Sequence, residues 1–444
     1  MARPIGRSGA PWRVGKSNVA SVLRVLAQTH PNDRQISRRD IAKLTGLSSA
    51  TVSKAVAELI ERGFVREDPA QPTGTGRPVV PLRWSADHYV LLGVKIVDED
   101  QLPGHLVGVV ASLGGVILVG PITRRLDAAR GERTDKRALV AAIASFVTEL
   151  QSGFRASQQP LGVGVELGGH LDRGTVVLSV NLGWAQASST WEELDTFDLQ
   201  QELSSAIACD VIVHNDVNAL AIRDLLYGGA GSANFLVCAV YNNGVGGGLV
   251  LDGRVRLGRD GGAGEIGHVK VDTSPEARKC RCEGLGHVEA YATPNAILNT
   301  LAVRDWDQAV MLPATDGHAR QVFREAGVRL GLGIANAVTL NDPDKVIVYL
   351  PAGLAIPEVD KAAAAYWTEI TATVEQEAFT GGRRTELEPR PLSPWELERE
   401  GAAAAAATVL YSLIEVLEQS AGSDEPSIED IRAHAGLPVL SGMA

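Results

Sequence analysis

Two cysteines and a histidine lie within eight residues of one another and form most of a metal-binding pattern. Cys280 and Cys282 are separated by one residue, and His287 follows five residues later. Thiolate sulfur and imidazole nitrogen are both good donors to Zn²⁺, which structural sites bind with four ligands. The stretch therefore predicts a zinc site that still needs a fourth ligand. Cys209 and Cys238 lie in apolar segments and are expected to be core residues rather than members of a disulfide.

A second group of polar residues follows the short apolar segment 210–213. Asn215 and Asp216 stand where a buried strand would end and a helix would begin. Open α/β sheets bind ligands at the carboxyl ends of their strands, and a polyol needs several donors and acceptors fixed in place. The position favours a ligand site, although Asp216 could equally cap the following helix.

Three amphipathic segments at the beginning of the chain predict three helices. Ser37 is placed to cap the second, at 38–44, and Gly46 can adopt a left-handed φ in the turn before the third, at 49–62. The apolar positions of the first and third segments are Val19, Val22, Leu23 and Leu26, and Val52, Ala55, Val56 and Leu59. The order of helix, glycine-containing turn and helix predicts a helix-turn-helix.

In a helix-turn-helix the second helix enters the major groove of DNA with its first residues against base edges. The residues predicted to face DNA are Ser49, Ala50, Thr51, Ser53 and Lys54. Segments 63–67 and 79–82 predict a hairpin whose Gly74, Gly76 and Arg77 reach a minor groove, forming the wing of a winged helix-turn-helix over 18–84. A three-helix interaction module without DNA contacts is the alternative.

Charge is distributed unevenly along the 444 residues. The first 84 residues carry fourteen Lys and Arg against six Asp and Glu, a net charge of +8, and since the whole chain carries −11 the remainder carries −19. A basic head on an acidic body favours contact between the head and a polyanion. Residues 1–17 are predicted to be a flexible basic arm of this head.

Composition narrows the class of protein. Hydrophobic residues make up 45% and charged residues 21% of the chain, as in ordinary soluble proteins. The sequence has no run of about 18 apolar residues and no apolar segment of a secretory signal at its beginning. We therefore expect a cytoplasmic protein with two or more domains.

From residue 89 onward, apolar β-type segments first follow one another and then alternate with helical patterns, which predicts an α/β body. Helices are predicted at 318–340 and about 395–418. The last segment, 419–444, shows no sustained periodicity and is predicted to be a loose tail.

The order of motifs is similar to that of the ROK family of repressors, open reading frames and sugar kinases. After the winged helix-turn-helix come GVGV…NLGW, HND-VNA, GVGGGLVLDG, GEIGH and CRC…GH-VE, so the resemblance covers about 18–418. It implies a two-lobed, actin-like (ribonuclease H-like) body of the sugar-kinase type. The first lobe is expected at 85–208, completed by the C-terminal helix, and the second at 209–394 with a zinc loop at 268–289.

The resemblance also implies the ligands of both sites. It supplies His268 as the fourth zinc ligand beside Cys280, Cys282 and His287, although Glu283 stands where the family usually has glycine and His287 where it has cysteine. Because imidazole also binds zinc, the site is expected to persist as Cys2His2. For a hexose, the residues implied by the resemblance are Gly169, Asn215, Asp216, Glu265, His268 and Glu289.

The phosphate-binding turns of the family's kinases are altered in this sequence. The first turn, usually DxGGT, runs from Lys95 to Gly104 without Gly-Gly-Thr, Asn243 replaces a threonine, and Pro351 lacks an amide donor. Since phosphoryl transfer depends on positioning and charge stabilisation, these changes predict a sugar-responsive transcriptional regulator, expected to be a repressor, without kinase activity. A sugar kinase with a DNA-binding head and a protein-docking platform remain alternatives. The partners expected are operator DNA, a sugar, and further copies in a homodimer or homotetramer.

Overall fold

The computed structural model describes residues 14–29, 36–71, 78–85, 87–97, 104–132, 134–155, 157–179, 182–184, 195–228, 234–312, 315–354 and 364–419. Most of the predicted arm, the wing tip with Gly74, Gly76 and Arg77, the turn 98–103 and the tail 420–444 lie outside these residues. The described chain forms two compact units. The first contains the head, the first part of the body and residues 398–419, and the second contains 234–397.

The head has the predicted three helices and hairpin. They are α1 (Lys16–Thr29), α2 (Arg38–Thr45), α3 (Ser49–Glu61), β1 (Val65–Glu67) and β2 (Leu82–Trp84), with β1 and β2 antiparallel. Ser37 caps α2 in a capping box with Asp40, and Gly46 has a φ of 70° in the turn. The apolar positions predicted for α1 and α3 are fully buried. Because α1 already begins at Lys16, the predicted boundary between arm and head at residue 17 is two residues late.

The strands of the body alternate with its helices in the order expected of an α/β protein. The strands are β3 (Tyr89–Val97), β4 (His105–Ser112), β5 (Ile117–Arg125), β6 (Gln159–Leu167), β7 (His170–Asp172), β8 (Thr175–Leu178), β9 (Phe197–Asp198), β10 (Val211–Asn215), β11 (Phe235–Val240), β12 (Val245–Leu251), β13 (Arg254–Val255), β14 (Lys345–Pro351) and β15 (Glu386–Leu392). The helices are α4 (Lys136–Gln151), α5 (Leu199–Ile207), α6 (Asp216–Tyr227), α7 (Glu289–Ala292), α8 (Pro294–Leu301), α9 (Trp306–Met311), α10 (Gly317–Asn341), α11 (Ala364–Glu377) and α12 (Pro394–Gln419).

Two five-stranded sheets share one topology, and each lies in its own unit. The first has the order β10-β6-β3-β4-β5 and the second β13-β12-β11-β14-β15. In both, three consecutive antiparallel strands are extended by two parallel strands, which is the ribonuclease H-like arrangement predicted. The predicted boundary between lobes at 208 is corrected, because β10 pairs with β6 and belongs with α6 to the first unit.

Helix α12 packs closely on the first sheet through glycines that the strands supply. A Cβ on Gly93 of β3 would lie 1.9 Å from the Ala402 carbonyl oxygen, and one on Gly164 of β6 would lie 1.7 Å from that of Ala405. The alanine run of α12 is buried, so small residues on both surfaces allow the backbones to approach. Among the described helices, α12 alone is long and apolar enough to span a membrane by length and composition, but 72% of its apolar window is buried inside the protein. Its apolar character thus has a packing explanation.

Candidate metal centre, ligand-binding residues and DNA interface

The zinc loop, residues 268–289, is folded back on itself by backbone hydrogen bonds. Isolated bridges join Lys270 to His287 and Lys279 to Leu285. Gly286 sits where these segments cross with a φ of 77°, and a Cβ there would lie 1.9 Å from the Asp272 carbonyl oxygen. Only glycine fits this crossing, which holds His287 beside the rest of the loop.

The four predicted zinc ligands converge. One donor atom from each of His268, Cys280, Cys282 and His287 lies within 4.8 Å of all the others. The Sγ of Cys280 is 3.8 Å from Nδ1 of His268, and the Sγ of Cys282 is 3.1 Å from Nδ1 of His287. Zn–S and Zn–N bonds of about 2.3 and 2.1 Å separate the ligands of a tetrahedral ion by about 3.4–3.8 Å, so small adjustments would accommodate Zn²⁺.

Without a metal ion, the surroundings of Cys280 in the loop disfavour its thiolate form. Burial raises the pKa of Cys280 to about 12, and burial together with the charge of His268 lowers the pKa of His287. A bound cation would displace the thiol proton, so metal binding would be coupled to proton release. Glu283, where the family usually has glycine, has a φ of 70°, a left-handed conformation that favours glycine.

A cluster of polar side chains anchors the far side of the loop. The hydroxyl of Tyr291 donates to Asp272 Oδ2 over 2.7 Å, and the Arg329 guanidinium donates to the same oxygen over 3.2 Å. Hydrogen bonds from Tyr291 and Ser274 hold the pKa of Asp272 down at about 2. The guanidiniums of Arg278 and Arg329 lie over the Tyr291 ring at 4.7 and 4.9 Å. The loop is therefore fixed from two directions, by the four-donor cluster and by this anchor.

Glu289 links the zinc loop to the glycine-rich turn before β12. Its Oε2 accepts from the Val245 amide over 3.3 Å, and its Oε1 accepts from the Cys280 thiol over 3.7 Å. Burial raises its pKa. Glu265 lies 3.9 Å from His268 at the other end of the loop. The three predicted sugar residues of the second unit thus lie at the two ends of the zinc loop, with Glu265 just before its first residue.

The three predicted sugar residues of the first unit also lie together. The Asn215 side chain donates to the Gly169 carbonyl over 3.0 Å, and its Oδ1 accepts from the amides of Val217 and Asn218. The N-cap of α6 is therefore Asn215 and not Asp216, which answers the alternative that the sequence left open. Asp216 occupies the first turn of α6. The helix N-terminus stabilises its carboxylate there.

A buried ion pair beside Asp216 was missed by the sequence analysis. Lys95 Nζ lies 2.7 Å from Glu166 Oε1, with side chains 8% and 0% exposed. Glu166 Oε2 has no hydrogen-bond partner among the described residues. Burial raises the pKa of Glu166 to about 7, and the charge of Asp216 acts in the same direction, against the lowering effect of Lys95. The sequence signal that could have indicated this pair is a single charged residue in each of two otherwise apolar strands, Lys95 in β3 and Glu166 in β6.

The glycine run of β12 includes a packing position. A Cβ on Gly247 would lie 2.4 Å from the Gly264 carbonyl oxygen and 2.7 Å from the Ile266 side chain. Close packing therefore accounts for Gly247 without a phosphate.

The predicted DNA-facing residues lie along the exposed side of α3. Ser49, Ala50, Ser53 and Lys54 are exposed, and Thr51 is partly buried. Ser48 caps the helix through the Thr51 amide. Their side of the helix is opposite to the buried stripe, as a recognition helix requires. Arg77 lies outside the described residues.

A winged helix-turn-helix joined to a ribonuclease H-like body with a Cys2His2 loop defines a class of DNA-binding regulators. The model of the ROK family matches residues 119–381, more than half of the chain, and a MarR family model matches residues 17–72. The chain belongs to the ROK family.

Curated relatives and solved structures extend this assignment. The chain is 26% identical to the DNA-binding transcriptional dual regulator NagC of Escherichia coli K12, covering 90% of this chain and 94% of that one. It is 25% identical to the xylose repressor of Bacillus subtilis, covering 76% and 82%. A ROK family transcriptional regulator homologous to the Escherichia coli MLC protein superposes with a TM-score of 0.67 at 22% identity over 91% of this chain and 98% of that one. The ROK hexokinase of Thermus thermophilus gives 0.55 at 23% identity over 72% and 97%. The similarity to these two solved structures shows a shared fold.

Proposed function

We propose that the chain is a sugar-responsive transcriptional repressor of carbohydrate genes. The observation that carries this proposal is the exposed recognition helix joined to a ROK body, in a chain similar over 90% of its length to a DNA-binding regulator. A basic head fits the phosphate backbone, while short side chains on α3 read base edges. The protein works where DNA is, in the cytoplasm, as a homodimer or homotetramer whose two heads contact paired half-sites.

The effector proposed is a sugar held by Gly169, Asn215, Asp216, Glu265, His268 and Glu289. Support comes from the two groups described above, since each group is fixed by its own hydrogen bonds before any ligand binds. Zn²⁺ held by His268, Cys280, Cys282 and His287 would supply a structural crosslink of the loop at whose ends three of these residues lie. Donors and acceptors that are already held in place favour binding of a polyol, because they lose little conformational freedom when it binds.

The proposal includes the absence of kinase activity. Lys95 of β3 stands where family kinases have the aspartate that begins their first phosphate-binding turn, and its ammonium is paired with Glu166 in the interior. Phosphoryl transfer requires a phosphate cradle with metal ions, so replacing its residues removes the reaction.

A path from the ligand residues to the head lies within the first unit. Helix α6 begins at Asp216, and α1 of the head packs against it. Gln28 of α1 donates to the Leu225 carbonyl at the opposite end of α6. Arg24 of α1 lies 2.8 Å from Glu418 of α12. A ligand that binds one position of α6 better than another would shift the head through these contacts.

The test uses the full-length zinc-loaded chain. A binding site is first selected from a random duplex DNA pool, and fluorescence anisotropy of that duplex is then followed while hexoses, pentoses, amino sugars and their phosphates are added, with and without MgATP. One sugar should change DNA affinity about tenfold or more, the usual scale of allosteric coupling. Asp216→Asn should lose this response and keep DNA affinity, whereas Lys54→Gln should weaken DNA binding and keep the sugar-induced rise in melting temperature.

Three outcomes would contradict the proposal. If no duplex is selected from the random pool, the head would be an interaction module and not a DNA-binding domain. Selected DNA that ignores every sugar would favour a protein-docking body. Phosphate transfer from MgATP to a sugar would make the chain a kinase with a DNA-binding head.

A further inference from the structure

The C-terminal end of the recognition helix α3 lies at the junction between the head and the body, within the first unit. Only four residues, 85–88, join β2 of the head to β3 of the body. Gly63 follows α3 with a φ of 79°, and the amides of Gly63 and Phe64 donate to the carbonyls of Ile60 and Leu59. This pair of bonds is a Schellman motif, which needs the left-handed residue. The chain therefore turns sharply where the head meets the body.

The imidazole ring of His88 packs directly on Gly63. A Cβ on Gly63 would lie 2.7 Å from Cδ2 of His88 and 2.9 Å from its Cγ, so the ring touches the glycine backbone. The same ring meets Tyr89 edge-on with centroids 4.4 Å apart, and the Tyr89 ring lies 4.8 Å from that of Phe64. His88 is thus a wedge between the end of α3 and the start of β3.

Hydrogen bonds hold this wedge to the first sheet. The His88 carbonyl accepts from the Gln159 amide over 2.8 Å, and His88 Nε2 lies 3.2 Å from the side-chain nitrogen of Gln159. Gln159 is the first residue of β6, a strand in the interior of the sheet. The Phe64 carbonyl accepts from the Ser85 amide over 2.9 Å. His88 is therefore fixed to the body while its ring supports the head.

A buried ion pair fastens the last turn of α3 within the head. The Arg62 guanidinium donates to Glu58 Oε1 over 3.2 and 2.9 Å, and Glu58 is only 3% exposed. The other oxygen of Glu58 accepts from the Val14 amide, just before α1, over 3.0 Å. Burial raises the pKa of Tyr89 and the charge of Arg62 acts against this rise, so the guanidinium also lies near the phenol. A tilt at this end is thus passed to the helix as a whole.

We propose that His88 is a positioning residue for DNA recognition, which fixes the orientation of α3 relative to the body and thereby the spacing of the two half-sites that a pair of chains binds. The inference rests on the proposed function and adds a residue outside the DNA-facing side of α3. The helix is about 20 Å long at roughly 1.5 Å per residue, so a small tilt at Gly63 displaces Ser49 at the reading end. A change of one base pair in spacing rotates one half-site by about 35° about the DNA axis, and a fixed head does not follow that rotation.

The test measures affinity against half-site spacing. Two copies of the selected half-site are separated by every spacing over one helical turn, and fluorescence anisotropy follows their binding to the full-length, zinc-loaded chain. The parent chain should bind the best spacing about tenfold more tightly than spacings one base pair longer or shorter. His88→Ala should reduce that ratio to less than about threefold, because a released head turns to follow the DNA. The bases preferred within each half-site should stay the same.

Two variants and one measurement without DNA serve as controls. His88→Phe keeps an aromatic ring against Gly63 and should restore most of the spacing preference. Asp87→Asn changes the neighbouring linker residue, whose carboxylate pairs with Arg155 at 3.4 Å with side chains 70% and 77% exposed, and should leave the preference unchanged. Melting temperatures show that each variant is folded. Hydrogen exchange of the Ser85 and Gln159 amides should be faster in His88→Ala than in the parent, because both amides are bonded at the junction.

Each outcome supports or overturns the inference. Equal spacing preference in His88→Ala and the parent overturns it, as does a parent that binds all spacings equally. A changed base preference within the half-site also overturns it, because the substitution would then act on the reading surface. An equal loss in Asp87→Asn assigns the effect to the linker as a whole, and an equal loss in His88→Phe removes the wedge. If the parent selects no duplex, the proposed function fails and hydrogen exchange alone decides: unchanged exchange in His88→Ala overturns the support of α3 by His88.

Discussion

Lys95→Met should strongly destabilise the first unit. Lys95 Nζ lies 2.7 Å from Glu166 Oε1, and the Glu166 side chain is fully buried. Removing the ammonium leaves an unpaired buried carboxyl group, which in comparable pairs reduces the free energy of unfolding by about 3–5 kcal/mol. Lys279→Met is the matched control, because Lys279 and Glu283 form a Lys–Glu pair at 3.1 Å with side chains 63% and 61% exposed. Its loss should change stability by about 0–1 kcal/mol.

The double variant Lys95→Met/Glu166→Met tests whether the loss of stability in Lys95→Met comes from the buried carboxyl that the substitution leaves unpaired. Apolar residues of similar volume can replace a buried pair without loss of stability, so the double variant should recover most of what the single variant loses. Urea denaturation of the three variants and the parent chain measures each free energy of unfolding. A loss below about 1 kcal/mol in Lys95→Met, or no recovery in the double variant, would refute the assignment of a strongly coupled pair.

The pH dependence follows from the direction of the Glu166 shift. Its pKa is raised from 4.5 to about 7 in the folded chain, chiefly by burial. A carboxyl whose pKa is higher in the folded state stabilises the fold relatively at low pH, and this contribution is lost as pH rises from 4.5 through about 7. In Lys95→Met the lowering influence of the ammonium is absent, so the loss should be larger and extend to higher pH. Denaturation at about pH 5 and about pH 8 checks the sign, and equal losses at both values would contradict it.

Three further outcomes are expected. Glu283→Gly should raise the melting temperature of the zinc-loaded chain by a few degrees, because relief of a left-handed backbone by about 1 kcal/mol exceeds the value of its exposed ion pair; a lower melting temperature would contradict this. Lys54→Gln should weaken DNA binding and reduce the slope of log affinity against log salt by about 0.9 if Lys54 contacts a phosphate, and an unchanged slope would remove that contact. Arg24→Gln and Glu418→Gln should each alter the sugar response of DNA binding. Linkage then requires the effect of DNA on sugar affinity, measured by calorimetry with and without DNA, to change by the same factor. An unaltered response in both would exclude this contact from the path.

The sequence predicted the elements with strong periodicity. In the head, the buried faces of α1 and α3, the Ser37 cap and the left-handed Gly46 all follow from local patterns and are confirmed. Convergence of His268 with the Cys280–His287 segment is also confirmed, although the resemblance supplied that histidine.

Long-range pairing accounts for what the sequence did not predict. The boundary placed at 208 failed because only the pairing of β10 with β6 shows that the chain stays in the first sheet beyond that residue. Lys95 and Glu166 are 71 residues apart, and nothing local to either indicates the other. That Asn215, and not Asp216, caps α6 depends on backbone angles at the strand end.

The two ends of α6 give a physical reason for a regulator to retain a kinase-like body. At one end the Asn215 side chain has both its functions occupied, donating to Gly169 and capping the helix, so it fixes where Asp216 lies. At the other end Leu225 contacts Gln28 of the head. A sugar that contacts Asp216 therefore acts on a helix whose position the head also senses, and reciprocity requires DNA to alter sugar affinity equally. Moving such a helix from 1:99 to 99:1 needs an affinity difference of about 10⁴ between its two positions. A sugar that binds both positions of the helix equally well would leave the head where it was, however tightly it binds.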